Sequence, residues 1–150
     1  MELHPTASKV EARLRERGLE VEVQVLADST RTAAEAAAAV GCEVGQIVKS
    51  LVVERDGEVV LCLCAGDRQV DTARLGLSRA DAGRVREATG FAIGGIPPLG
   101  HDRDLPTIVD TSLRRFETVW CAAGTPHAVF SVAVDELLRA LPEAELADLG

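Results

Sequence analysis

The sequence predicts a mixed α/β domain whose strongly curved, mixed sheet carries its helices on the outside. Apolar residues switch between helical and strand spacing along the whole chain, so strands and helices are interleaved. A two-residue turn signal joins two of the apolar runs, so the sheet cannot be all parallel. The 150 residues are 47% apolar, enough for one real core at this length. A single domain spanning 1–150 is the expectation.

From the N-terminus, residues 8–17 read as a helix with Val10 and Leu14 on its apolar stripe and Gly18 as its stop. Residues 20–26 alternate Val21, Val23 and Val25 with Glu22 and Gln24, the pattern of a half-buried strand. Thr32 and Glu35 form a capping box before an alanine-rich helix that ends at Gly41. Residues 47–54 and 59–65 are apolar runs separated by Arg55-Asp56-Gly57-Glu58, a hairpin signal. Short helical segments are predicted over 71–77 and 81–89. A loop of defined shape covers 91–104, a short strand 107–110 and a helical turn 112–115. Strands over 118–123 and 128–132 flank a Gly124-Thr125-Pro126 turn, and a helix over 134–141 stops at Pro142.

Composition excludes several classes. The net charge is −8, which repels nucleic-acid phosphate at long range and argues against DNA binding. Contact with a single nucleotide end is still allowed. Phe91, Phe116, Phe130 and Trp120 are the aromatic residues, with no Tyr, so the core must be aliphatic. Cys42, Cys62, Cys64 and Cys121 form no Cys-x-x-Cys pair and have no His at ligand spacing, so free thiols and no metal are expected. No run approaches the length of a membrane span, and the charged N-terminus lacks a signal-peptide core, which points to the cytoplasm and no membrane.

Lys49 is the first chemical anomaly. It shares a strand face with Ile47, Leu51 and Val53, while Val48, Ser50 and Val52 take the other face. Both faces are largely apolar, so the strand is expected to be central. An ammonium there is costly unless it is paired or faces a cleft. The chain has two lysines against fourteen arginines, so lysine is not its habitual base. The plain alternative is a strand-end lysine reaching solvent. In a cleft, the same ammonium could hold a phosphate or polarise a carbonyl.

The second anomaly is Gly94-Gly95-Ile96-Pro97-Pro98-Leu99-Gly100-His101. Two glycines let backbone amides approach a ligand, and two prolines stiffen the remainder of the loop. Such a loop can present N–H groups to an anion or a developing oxyanion, or it can be an ordinary tight connection. His101 and His127 sit beside turns, where a structural role is the default. Asp110 closes an apolar strand and reads as a cap, and Thr32 reads as an N-cap. No Ser-His-Asp motif, phosphate loop, dinucleotide fingerprint or metal motif is present.

Together these residues carry a resemblance. Thr32-Ala-Ala-Glu-Ala-Ala, Gln46-Ile-Val-Lys49-Ser-Leu-Val, Gly66-Asp67, Thr89-Gly90-Phe91 leading into Gly94 through His101, Leu105 through Asp110, Gly124-Thr-Pro-His127 and Ala147-Asp148-Leu149 succeed one another in the order and spacing of the YbaK/ProX family. This is the editing domain associated with prolyl-tRNA synthetase. The resemblance implies an aminoacyl-tRNA deacylase acting in trans on mischarged tRNA, on a barrel-like mixed sheet, with no cofactor and no metal. It makes Lys49 the family's essential lysine, holding the phosphate or carbonyl side of the terminal nucleotide. It makes Gly94 through Pro98 the loop that holds the 3′ end and the ester, with Gly94 and Gly95 supplying amides and Ile96, Pro97 and Pro98 shaping the site. Thr32, His101, Asp110 and His127 are further substrate-binding candidates. Water activation is expected from the substrate's own 2′-hydroxyl and loop backbone groups. The implied partners are the 3′ end of aminoacyl-tRNA and an aminoacyl-tRNA synthetase.

The sequence departs from the family's cysteinyl-specific branch, which has an acid shortly after the Gly124 turn; His127-Ala128-Val129-Phe130 has none. That branch's preference therefore does not carry over. A non-catalytic tRNA- or synthetase-binding module and a small-molecule esterase stand as alternatives.

Overall fold

The computed structural model describes residues 3–27 and 32–150. Helix α1 (Pro5–Glu16) begins earlier than its apolar stripe suggests, because Pro5 suits the first turn and His4 Nδ1 accepts the Thr6 N–H at 3.1 Å. Ala7, Val10 and Leu14 are its buried face.

The strand expected over 20–26 shrinks to β1 (Gln24–Val25). Leu19 and Val21 are buried, but α1 satisfies backbone groups that a neighbouring strand would have paired. Glu11 accepts the Val23 N–H at 2.9 Å, and Arg15 donates to the Val21 carbonyl at 3.3 Å.

Helix α2 (Ala33–Val40) is capped as predicted: Thr32 Oγ1 accepts the Glu35 N–H at 3.1 Å, and Gly41 closes it in the left-handed region. Its small residues let Ala36 and Ala37 pack closely on Ile47. The hairpin comprises β2 (Val48–Arg55) and β3 (Glu58–Ala65), with Arg55 opposite Glu58. Asp56 and Gly57 both take positive φ, 54° and 81°, the two-residue turn whose twist matches that of the strands.

Beyond it lie α3 (Thr72–Leu75), β4 (Ser78–Arg79), α4 (Ala82–Thr89), β5 (Thr107–Asp110), β6 (Thr118–Ala122), β7 (Ala128–Ala133), α5 (Val134–Arg139) and β8 (Glu145–Ala147). Tight 3₁₀ turns occupy Val44–Gln46 and Thr111–Arg115. Strands β4 and β8 were not expected. Each is too short to show alternation, and each is held at a sheet edge by an apolar neighbour strand.

The mixed α/β class holds, but the barrel-like, strongly curved sheet does not. Two open sheets are present, one ordered β1-β7-β6 and one ordered β4-β2-β3-β5-β8. The second is mixed: β2 pairs antiparallel with β3 and β4, while β5 runs parallel to β3 and β8. Among the described residues one isolated bridge, between Ile47 and Trp120, links the backbones of the two sheets, while side chains of both sheets share the main core. Strand β4 reaches β2 only at Val53 and Glu54, so the first half of β2 keeps a free edge and no cylinder closes.

Strand β2 is apolar on both faces, as predicted. Val48 and Val52 enter the main core with Leu61, Leu63, Phe91, Phe130 and the α1 stripe. Val53 enters a smaller core with Val60, Cys62, Leu77, Ile108 and Leu149. Cys62, Cys64 and Cys121 are buried free thiols, and burial pushes Cys62 and Cys64 up to about 11. No helix among the described residues is long and apolar enough to cross a membrane.

Candidate active site

The gap between the two sheets is a cavity of about 430 Å³, within the range of small-molecule sites. One side is α2 and its cap, contributing Thr32, Ala33, Ala36 and Val40. Ile47 and the start of strand β2, Val48 through Leu51, supply the floor, and β6 supplies Trp120, Cys121 and Ala122. Gln69, Val70 and Arg79 close another side, and the tip of the 91–104 loop contributes Ile93, Gly94 and Ile96. Lys49 and the glycine loop, 45 positions apart, therefore face one space.

Lys49 is half-buried in this lining, and its Nζ donates to the Arg68 carbonyl. The ammonium is thus held in place rather than trailing into solvent. Arg79 is the second cation of the lining. The free edge of β2 adds backbone polarity. Ala80 N–H donates to the Val52 carbonyl at 3.2 Å, so Val52 faces the β4 side. By ladder alternation Ser50 presents its N–H and C=O to the same side, where β4 has already ended.

The loop divides in two. Ala92, Ile93 and Gly94 are exposed, and Gly94 has φ 99°, which favours glycine. From Gly95 to His101 the chain is buried. Pro97 and Pro98 are interior, not at the cavity wall. Gly95 donates its N–H to the Ala92 carbonyl at 3.1 Å and accepts the Gly124 N–H at 2.8 Å. Its amide is spent inside the loop, and of the two glycines only Gly94 lines the cavity. Arg13 of α1 ties the far end down by donating to the Gly100 carbonyl at 2.9 Å.

Of the remaining candidates, His101, Asp110 and His127 lie away from the cavity lining. His101 lies behind the loop with Nε2 2.7 Å from the Pro97 carbonyl. A carbonyl only accepts, so Nε2 carries the hydrogen. Asp110 is buried, accepting the Ser112 N–H at 3.1 Å, the Ser112 hydroxyl and the Leu149 N–H at 2.7 Å. It caps the Thr111–Arg115 turn, as its sequence position suggested, and does not reach the cavity. His127 is exposed at the β6–β7 turn, where its carbonyl accepts the Leu26 N–H at 2.7 Å. Thr32 does line the cavity, with its hydroxyl donating to Glu35 at 3.2 Å.

Burial holds His101 below its ordinary value of 6.5, against an upward pull from the Pro97 carbonyl. The unfolded chain therefore takes up this proton first on acidification. The stability His101 contributes is complete above its unfolded value and is lost as pH falls through its lower folded value. Thermal melts should drop as pH falls below the ordinary histidine value of 6.5, and His101→Gln, which can still donate to Pro97, should flatten that part of the profile. An unchanged profile in the variant would mean His101 is not the group responsible.

Ile93, Gln69, Val70, Arg79 and Trp120 were missed as cavity residues. The one visible signal was the single tryptophan on a strand. Arg79 sits in a stretch with no periodicity at all. Among the described residues, no group of three His, Cys, Asp or Glu side chains is placed to hold a metal ion.

Comparison with known proteins gives consistent neighbours. The model of the aminoacyl-tRNA editing domain family matches residues 27–140. The uncharacterized protein YwhH of Bacillus subtilis (strain 168) is 34% identical over 119 residues, covering 73% of this chain and 74% of that protein. A proline–tRNA ligase of Bacillus licheniformis is 28% identical over 133 residues, 84% of this chain but 23% of the ligase. The chain therefore spans about a quarter of that relative. A solved structure described as a candidate trans-editing enzyme for prolyl tRNA synthetase superposes with a TM-score of 0.91 at 46% identity, covering 99% of this chain and 98% of that one.

Proposed function

The chain belongs to the aminoacyl-tRNA editing domain family, and from that premise we propose that it is a trans-acting deacylase. It hydrolyses the ester between a misattached amino acid and the terminal ribose of tRNA. The observation that carries this reading is the shared cavity in which Lys49 faces Gly94 and Ile96.

The chemistry asked of the protein is modest. Water adds to the ester carbonyl, negative charge grows on its oxygen, and the C–O bond to the ribose breaks. The ribose oxygen leaves with a proton, giving free amino acid and uncharged tRNA. An activated ester needs positioning and a few kcal/mol of charge stabilisation, which one fixed cation and oriented amides supply. The Lys49 ammonium is the cation. The Gly94 amide and the free backbone edge at Ser50 are the polar backbone groups that the same lining offers. Ala33, Ala36, Val40 and Ile47 form an apolar wall that suits a small side chain such as that of alanine, serine or threonine. With a net charge of −8, affinity for free tRNA is low, and a synthetase or another tRNA-binding partner supplies the rest.

The test is amino-acid release from a panel of mischarged tRNAs. Faster release than the spontaneous rate for at least one tRNA carrying a small amino acid is expected. No release from any tRNA, with binding retained, would favour a binding module. Release from simple aminoacyl esters alone would favour an esterase.

A further inference from the structure

Lys49 is positioned by a backbone carbonyl, and the loop that carries this carbonyl is itself held from a distance. The Arg68 carbonyl lies in the stretch between β3 and α3, which turns sharply as Arg68 N–H donates to the Ala65 carbonyl at 2.9 Å. Gln69 and Val70 of the same stretch line the cavity. A carbonyl on a loop can hold an ammonium in one place only if the loop stays in one place.

Both ends of this loop lead to one buried carboxylate. At the first end, Asp67 is gripped in two-pronged fashion by Arg115: Nη2 lies 2.7 Å from Oδ1 and Nη1 lies 3.1 Å from Oδ2. This is the geometry in which a guanidinium fixes direction as well as distance. Arg115 is aimed by its Nε, which donates to the Ser112 carbonyl at 2.8 Å, and by stacking on Phe116 at 4.9 Å. Ser112 is in turn held by Asp110 Oδ2, through its N–H and its hydroxyl. At the other end, Asp71 N–H donates to the Leu149 carbonyl at 2.7 Å, and Leu149 N–H donates to Asp110 Oδ1 at 2.7 Å.

We propose that Asp110, acting through Arg115–Asp67 on one side and Leu149–Asp71 on the other, is the positioning residue for the Lys49 ammonium. Its two oxygens close a ring of hydrogen bonds around the loop that presents the Arg68 carbonyl. This assigns roles to a buried acid that does not reach the cavity and to a surface ion pair remote in sequence. It rests on the reading of Lys49 as the group that meets the ester.

The experiment uses the exposed members of the ring, because Asp110→Asn could unfold the protein by leaving buried donors unpaired. Asp67 and Arg115 are 39% and 37% exposed, and breaking such a pair alone costs little stability. Arg115→Met is made in the wild-type and in the Lys49→Ala background, with Asp67→Asn in parallel. Arg84→Met, which breaks the comparably exposed 3.1 Å pair with Glu54, is the control. Expected results are a kcat lowered by roughly tenfold to a hundredfold in Arg115→Met and Asp67→Asn with KM little changed, full activity in Arg84→Met, and no further loss when Arg115→Met is added to Lys49→Ala. Equal losses in both backgrounds would overturn the proposal.

A second measurement needs no substrate. The protein has two lysines, Lys9 and Lys49, so lysine labelled with carbon-13 at Cε gives two signals. Arg115→Met should shift or broaden the Lys49 signal and leave that of Lys9 in place. An unmoved Lys49 signal overturns the proposal. A moved signal in a protein whose Lys49→Ala variant deacylates normally supports the positioning and sinks instead the catalytic reading of Lys49.

Discussion

Lys49→Ala is expected to lower kcat/KM for amino-acid release from mischarged tRNA by about 10²–10³-fold while leaving the fold intact. The magnitude reflects the interaction that is lost. A preorganised donor aimed at a growing negative charge inside a pocket is worth about 3–4 kcal/mol, far more than the same contact in water. Stability should hardly change, because Lys49 is half-buried at the cavity and its partner is one loop carbonyl. Lys49→Met keeps the aliphatic stem and should show the same loss, which separates charge from packing. Lys49→Arg should not restore activity. The planar guanidinium is wider than an ammonium and cannot take the Arg68 carbonyl and a substrate oxygen from the same point. Release rates measured beside thermal melts decide the matter. A Lys49→Ala protein that works as fast as wild type would remove the ammonium from the reaction.

Why Lys49 was legible in the sequence, and its setting was not, has a physical reason. A charge on a strand that is apolar on both faces violates local burial rules, and such violations show up in a single line of residues. The hairpin was legible for a similar reason: Asp56-Gly57 meets a backbone demand at two adjacent positions. The cap at Thr32 and the stop at Gly41 are likewise local devices. The gap between the sheets is not local. It exists because β4 pairs with β2 at Val53 and Glu54 while β6 forms a single backbone bridge, to Ile47, and no residue near Lys49 encodes where a distant strand stops. The barrel expectation failed at that point. The Asp67–Arg115 pair spans 48 positions and left no trace in spacing. The placement of Pro97 and Pro98 was not legible either. Their spacing predicts a stiff loop but not its direction: both rings are buried, and Ile93, Gly94 and Ile96 reach the cavity instead. Asp110 read correctly as a cap, but its second oxygen binds Leu149, which lies just past the unforeseen strand β8.

That division of the loop makes Gly95→Ala the more damaging of the two glycine substitutions, although Gly95 does not line the cavity. A Cβ on Gly95 would lie 2.6 Å from the Gly124 carbonyl oxygen and 2.9 Å from the Thr125 nitrogen, both backbone. The Gly124 turn cannot retreat: it has φ 97°, and behind it stand Thr6 and Val10 of α1, within 2.9 and 3.0 Å of where its own Cβ would sit. The loop must move instead, toward the cavity, carrying Gly94 and the buried Ile96 with it. Overpacking of this kind costs about 1–3 kcal/mol, and a displacement near 1 Å at a positioning element costs about a hundredfold in rate. Gly94→Ala meets no atom within 4 Å, so its cost is conformational, about 1 kcal/mol for forcing alanine to positive φ. Thermal melts and release rates of the two variants should therefore rank Gly95→Ala below Gly94→Ala in both stability and activity. Full activity in a folded Gly95→Ala protein would mean that the loop's fit against the Gly124 turn does not set the geometry of the site.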